Sequence, residues 1–190
     1  VKLYGITKEQ RYLDFSTYIV NGGFSKNLNL IEESLSKRKY PYQFGDVKAY
    51  EMMSCFEGLT EYYKYVKDDK YLRAAENFVD MIVESDYTII GCCGCSTEML
   101  DNSSVTQTNY SDDVMQETCV TVTFMKLCSK LYLLTGSPKY MDYIERSAYN
   151  AMYGAVNDTE QTMKRTDGDV WVEDGCYQVE HESYPFDSYS

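Results

Sequence analysis

The sequence has few of the residues that mark the commoner kinds of functional site. Among 190 residues there are one histidine (His181), one tryptophan and three prolines, and no glycine-rich phosphate loop. Acidic residues outnumber basic ones by 30 to 18, which gives a net charge of −12. Nucleic acids and anionic membrane surfaces both require a basic footprint, so this charge argues against either partner. No apolar run approaches the ~18 residues of a membrane span, so we expect no membrane-crossing segment.

The remaining composition is that of a globular, helical protein. Hydrophobic residues make up 44% of the chain and charged residues 25%, and the length suffices for one domain with a real core. The 20 tyrosines are an unusually large number. Tyrosines line carbohydrate-binding grooves but also fill the seams between packed helices, and the composition leaves both roles open.

The cysteines favour a reducing compartment. Seven is an odd number, which fits free thiols better than a disulfide framework, and we therefore predict a cytoplasmic protein. Cys92, Cys93 and Cys95 resemble a metal knuckle, but no second cluster has zinc-ribbon spacing, so the signal is weak. The chain starts at Val1 without an initiator methionine or signal sequence, and we expect it to be part of a longer protein.

A repeated pattern predicts antiparallel helical hairpins. In each copy a Leu- and Tyr-rich segment leads into a short polar turn, and Lys-Tyr or Arg-Tyr then opens the next helix. The turns follow residues 3–7, 63–67 and 132–136. Hydrophobic periodicity and stop signals predict helices at 8–21, 28–38, 46–65, 69–85, 113–134 and from Pro138 onward.

The apolar faces of these helices predict an all-α fold in two layers. The first helix of each hairpin (46–66 and 113–134) is apolar on more sides than its partner (69–85 and 138–156), which is expected of inner and outer helices in an α/α toroid. Two and a half hairpins form only an arc of such a ring. We expect its unpartnered faces to promote self-association.

The domain boundary is predicted near residue 156. Residues 1–156 would form the partial toroid, and residues 157–190 a polar tail with short strands at 170–172 and 177–179. A long loop, 86–112, interrupts the helices and begins with the β-like segment 87–90. Loops of this length in a compact domain usually have a function.

Few carboxylates or thiols are candidates for chemistry. Glu98 lies in the long loop, where it is either a solvated carboxylate or a shielded acid with a raised pKa. Glu117 and Cys119 lie about 200° apart on a regular helix and cannot share a ligand there. They converge only if Glu117 precedes the first regular turn, where the helix dipole would favour both a carboxylate and a thiolate. The alternative is an acidic residue complementing the dipole beside a buried cysteine.

Three segments resemble the β-L-arabinofuranosidase-type glycoside hydrolases, long known as a domain of unknown function. They are Ile-Gly-Cys-Cys-Gly-Cys-Ser-Thr-Glu-Met-Leu at 90–100, Gln-Glu-Thr-Cys at 116–119 and Glu-Arg-Ser-Ala-Tyr-Asn at 145–150. The Thr-Gly turn at 135–136 and the final segment 184–190 are also similar to that family. The resemblance extends from about residue 46 onward.

The resemblance implies a catalytic α/α toroid that hydrolyses L-arabinofuranosyl or related plant-glycan sugars with retention. It implies a zinc ion held by Glu117 and Cys119 and by a downstream pair of adjacent cysteines, one of which is the nucleophile. Glu98 matches the general acid/base. A zinc ion suits thiolate ligands and keeps a thiol deprotonated at neutral pH.

The sequence departs from the family pattern in three ways. The adjacent pair Cys92 and Cys93 lies upstream of the Glu-x-Cys motif, so it is not assigned the role of the downstream pair. No adjacent cysteine pair follows Cys119, so the nucleophile would lie beyond Ser190, and we expect the isolated chain to be inactive and to bind zinc weakly. Lys48 stands where the family often has a histidine, which leaves the sugar undefined. The alternatives are a non-catalytic toroid module that binds glycan or packs on a partner domain, and a toroid epimerase or lyase, which would need more histidines.

Overall fold

The computed structural model describes residues 1–45, 47–94, 98–108 and 117–155, together with two short strands. The α-helices are α1 (Lys2–Thr7), α2 (Gln10–Asn21), α3 (Leu30–Ser36), α4 (Ala49–Val66), α5 (Asp69–Ser85), α6 (Ser103–Thr106), α7 (Thr118–Thr135) and α8 (Lys139–Arg146). A 3-10 turn covers Pro41–Gln43, a π-helical segment covers Ser147–Met152, and the strands are β1 (Met163–Lys164) and β2 (Gln178–Val179). Within this described part, no helix has the length and apolar character needed to cross a membrane.

The predicted hairpin repeat is confirmed in its turn geometry. Helices α1, α4 and α7 each end on a residue in the left-handed conformation, with φ of 59° at Lys8, 57° at Lys67 and 70° at Gly136. The backbone N–H of that residue donates in each case to the carbonyl of a tyrosine four positions earlier. This single bond closes the helix and turns the chain back, so the next helix begins two or three residues later.

Aromatic side chains join the hairpins into one core. Helix α4 packs against α5 and α7, and α7 also packs against α8. The rings of Phe56 and Phe78 are stacked with their centroids 4.0 Å apart. Phe124 of α7 packs against Tyr87, which directly follows the turn after α5, with the centroids 5.1 Å apart. All three phenylalanines are fully buried, and each such ring stabilises the fold by about 1.5–3 kcal/mol relative to exposure.

The two-layer prediction holds for the second hairpin and is wrong for the first. Helix α7 has seven buried residues, whereas only Tyr140 is buried in α8. In the first hairpin α4 has seven buried residues and α5 has eight. Helix α5 is covered on a second side by α3, where the Asn77 side chain donates to the Ser34 carbonyl at 3.1 Å. The amphipathic pattern of α5 therefore did not show that its second face is exposed to solvent, because α3 packs there.

The loop after α5 is held together by hydrogen bonds to a buried carboxylate. Asp86 is fully buried, and its Oδ1 accepts hydrogen bonds from the backbone N–H groups of Asp101 (2.9 Å) and Ser103 (3.2 Å). The predicted β-like start at 87–90 is wrong: Thr88 N–H bonds to the Cys92 carbonyl, and Gly91 N–H bonds to the Thr88 carbonyl, which makes tight turns. These turns return the chain toward α4.

The tail contains the antiparallel pair β1–β2, in which Met163 pairs with Val179 and Lys164 pairs with Gln178. Strand β2 overlaps the strand predicted at 177–179. The strand predicted at 170–172, and His181, lie outside the described residues. The domain boundary near residue 156 stays a prediction.

Candidate functional site

Glu98 is held at the N-terminal end of α4 by main-chain pairing. Its carbonyl accepts from Ala49 N–H at 2.8 Å, and Leu100 N–H donates to the Val47 carbonyl at 2.9 Å. These bonds form an isolated antiparallel bridge between Lys48 and Met99. Glu98 itself adopts a left-handed conformation with φ of 64°. The loop therefore presents Glu98 at a fixed point beside the first turn of α4.

Glu117 is the N-cap residue of α7. Its backbone is extended (φ −65°, ψ 112°), and its side chain makes no capping hydrogen bond. Its carbonyl accepts the first helical bond, from Thr121 N–H at 3.1 Å. An i, i+2 pair inside a helix is separated by about 200°. This separation does not apply to Glu117 and Cys119, because Glu117 precedes the first regular turn. The condition for its convergence with Cys119 is met.

The structure brings Glu98, Glu117 and Cys119 together. One ligand atom of each lies within 4.8 Å of the others, and they form the one such group of three or more acidic, cysteine or histidine side chains among the described residues. The Cys119 thiol donates to Glu98 Oε1 at 3.8 Å. Glu117 is 2% exposed, and its Oε1 finds no hydrogen-bond donor in the described part of the chain. A buried carboxylate oxygen without a donor is costly unless a cation neutralises it.

The surroundings of Cys119 keep its thiol protonated. Burial, hydrogen bonding and repulsion from Glu117, and then the charge of Glu98, raise the pKa of the Cys119 thiol to about 12. The expectation that the helix dipole favours a thiolate is therefore wrong for the protein without a cation. Two carboxylates within a few ångströms outweigh the partial positive charge of a helix end, which is about half an elementary charge.

These donors fit the zinc ion that the resemblance implies. Glu117 offers an orphaned oxygen, Cys119 offers a sulfur, and both atom types are ordinary zinc ligands. A divalent cation would also reverse the electrostatics around the thiol, because a coordinating thiol is deprotonated. The cluster therefore has the donors, the negative charge and the unsatisfied atom that a metal ion would compensate.

Lys48 connects this cluster to the adjoining cavity. Its ammonium group donates to Glu98 Oε2 and forms an ion pair with it. The same lysine lines a cavity of about 340 Å³ whose other walls come from the loop before α3, from α4 and from Met99. The three predicted residues do not line this particular cavity. The expectation that all three face one cavity stays a prediction. No pattern in the sequence pointed to Lys48 as the partner of Glu98, because 50 positions separate them.

The adjacent cysteines of the suspected knuckle lie apart from the cluster. Cys92 is 1% exposed and packs with Ala151 and Ile90, and Cys93 belongs to the main core. Cys95 lies outside the described residues. In the structure, Cys92 and Cys93 are therefore core side chains.

Comparisons with known proteins agree with the fold and the sequence motifs. The family model of the β-L-arabinofuranosidase GH127 catalytic domain matches residues 1–165. No curated protein sequence matches the chain.

Two solved structures share the fold. The first is described as the GH127 β-arabinofuranosidase BT3674; it is 22% identical, with a TM-score of 0.64 over 82% of this chain and 24% of that one. The second is Ara127N-Se, a GH127 β-L-arabinofuranosidase from Geobacillus stearothermophilus T6, which is 19% identical, with a TM-score of 0.56 over 78% of this chain and 26% of that one. The chain thus spans about a quarter of the length of these structures. The all-α prediction, an arc of an α/α toroid, is confirmed.

Proposed function

This chain belongs to the β-L-arabinofuranosidase GH127 catalytic-domain family, and we propose on that basis that it contributes part of the active site of a retaining glycoside hydrolase. The substrate class is L-arabinofuranosyl or related plant-glycan sugars. We assign the helical residues 1–156 to the toroid and residues 157–190 to a separate tail.

Glu98 is the proposed general acid/base. A glycosidase of this kind needs a carboxyl group that protonates the leaving oxygen and then takes a proton from the attacking water. Glu98 is fixed by main-chain bonds at the end of α4, while its side chain is 22% exposed, so a substrate oxygen can approach it. A fixed position is required because a misplacement of 1 Å can cost about 100-fold in rate.

Glu117 and Cys119 are the proposed zinc ligands within this chain. Bound zinc would supply the positive charge that holds a thiolate deprotonated at neutral pH. Glu117 contributes a buried carboxylate whose side chain makes no capping hydrogen bond to α7 and whose Oε1 has no donor among the described residues. Cys119 must lose its proton on binding, so its two neighbouring carboxylates make metal binding depend on pH.

The observation that carries the proposal is the convergence of ligand atoms of Glu98, Glu117 and Cys119 within 4.8 Å, beside a buried Glu117 oxygen that has no donor among the described residues. A thiol that only filled the core would gain nothing from two carboxylates, since they raise the cost of ionising it, whereas a bound cation would be stabilised by them. The non-catalytic alternatives, glycan binding or domain packing, do not require this arrangement.

The test is hydrolysis of aryl β-L-arabinofuranosides by the protein that contains this chain. We expect Glu98→Gln to lose turnover of substrates with poor leaving groups while activated substrates survive better, because only the former need a protonated leaving oxygen. Glu57→Gln is the matched control, since Glu57 lies on α4, pairs with Lys126 and is not part of the cluster. Equal losses for both leaving groups, or a wild-type protein without activity, would contradict the assignment.

A further inference from the structure

We propose that Lys48 is the positioning residue of Glu98: its ammonium group fixes the direction in which the carboxylate faces. The inference rests on the proposed role of Glu98 as the acid/base. It assigns to Lys48 an effect on catalysis that acts through Glu98.

The backbone of Glu98 is already fixed, but its side chain has three rotatable bonds. The bridge between Lys48 and Met99 holds the main chain at Glu98 and directly after it. Nothing in that bridge determines where the carboxylate at the end of the side chain lies. A catalytic carboxylate must nevertheless be held close to its productive orientation.

Cys119 and Lys48 each donate to a different oxygen of Glu98. The thiol of Cys119 donates to Oε1, on the side of the α7 helix start. The ammonium of Lys48 donates to Oε2, on the side of α4. Lys48 donates from a full positive charge, whereas a thiol is a weak donor, so Lys48 makes the stronger of these two contacts.

The position of Lys48 also places the ion pair beside a cavity. The lysine lines the cavity of about 340 Å³, together with Glu51 and Met99. This volume is at the lower end of the range for small-molecule sites, roughly 300–1,000 Å³. Lys48 therefore links the carboxylate of Glu98 to the wall of this cavity.

A purely structural ion pair would be placed differently. Lys130 and Glu61 join α7 to α4 at 2.8 Å, and Lys139 and Asp80 join α8 to α5 at 2.7 Å. Each of those pairs connects two helices through side chains. The Lys48–Glu98 pair joins the start of α4 to a loop segment that main-chain hydrogen bonds already connect to it, so the pair adds little to the path of the chain and much to the orientation of one carboxylate.

The experiment measures kcat and KM in the protein that contains this chain, with aryl arabinofuranosides that have poor and activated leaving groups. We expect Lys48→Met, which keeps the length and removes the charge, to lower kcat for the poor leaving group about 10- to 100-fold. The loss for the activated substrate should be several times smaller. Lys48→Arg should recover most of the loss, because it restores a charged donor at the same place.

A double-mutant cycle separates this role from direct contact with the sugar. If Lys48 acts through Glu98, adding Lys48→Met to Glu98→Gln should cost nothing further. Lys130→Met is the matched control, since it removes another ion-paired lysine and should leave both kcat values unchanged.

The contrary outcomes separate a failure of this inference from a failure of the proposed function. Active wild-type protein with an equally active Lys48→Met variant overturns this inference alone. A loss that is the same for both leaving groups, or that persists in the Glu98→Gln background, assigns Lys48 to sugar binding and also overturns it. Wild-type protein without glycosidase activity overturns the proposed function and this inference with it.

Discussion

Replacing Gly91 with alanine should destabilise the fold far more than the size of a methyl group suggests. Gly91 has φ of +87°, and a Cβ built there would lie 2.8 Å from Ser147 N and 2.9 Å from Ser147 Cα. The Ser147 hydroxyl also donates to the Gly91 carbonyl at 2.7 Å. The loop after α5 and the π-helical segment after α8 thus meet with backbone against backbone, and neither can move aside as a flexible side chain would.

The expected cost has two parts. A left-handed conformation costs an L-residue roughly 1–2 kcal/mol relative to glycine. Forcing an extra carbon into a packed site costs about 1–3 kcal/mol more. Gly91→Ala should therefore lower the free energy of unfolding by about 2–5 kcal/mol.

Gly136→Ala provides the matched control. Gly136 has φ of +70° but no atom within 4 Å of a built Cβ, so its substitution should cost only the first part, about 1–2 kcal/mol. Urea titrations of both variants, with unchanged m-values, give the comparison. Equal losses at the two positions would refute the close approach of Gly91 to Ser147.

Two further predictions concern solution behaviour. Burial raises the pKa of both Tyr87 and Cys119 to about 12, from ordinary values of 10.0 and 9.0. Their contribution to stability should be complete below pH 9 and lost as the pH rises toward 12, and a constant free energy of unfolding between pH 8 and 11 would contradict this. Ile6 is 81% exposed and Tyr18 is 76% exposed on the α1–α2 hairpin, so we expect concentration-dependent self-association. Sedimentation velocity should show it weakened in Ile6→Ser, and a monomer at every concentration would count against it.

The parts of the fold that followed from sequence are those with local causes. Helix α5 begins and ends as predicted, at Asp69 and Ser85, because a capping aspartate and a strong apolar stripe define it. The hairpin turns were likewise predictable, since each depends on a few consecutive residues. The burial of α5 was not, because it depends on α3, more than 30 positions earlier, covering its second face.

The candidate site shows the same contrast between features with local causes and features with long-range causes. The Glu-Thr-Cys motif and the helix start behind it predicted that Glu117 and Cys119 could converge only at an N-cap, and the structure has Glu117 there. The protonated state of Cys119 was missed because it depends on burial and on the charges of Glu117 and of Glu98, which is 21 positions away. Lys48 was missed as a partner of Glu98 because 50 positions separate the two residues. Long-range electrostatics of this kind leaves no mark in residue spacing.

The zinc content of the protein that contains this chain tests the central claim most directly. Metal analysis after exhaustive dialysis should find zinc in wild-type protein and in Cys55→Ser, which removes a thiol of the cavity wall outside the cluster. Cys119→Ser and Glu117→Gln should each lower zinc affinity at least about tenfold, because each removes a ligand atom from the site. Full zinc occupancy in the folded Cys119→Ser protein would contradict the account, and Cys119 would then be a buried helix residue beside two carboxylates.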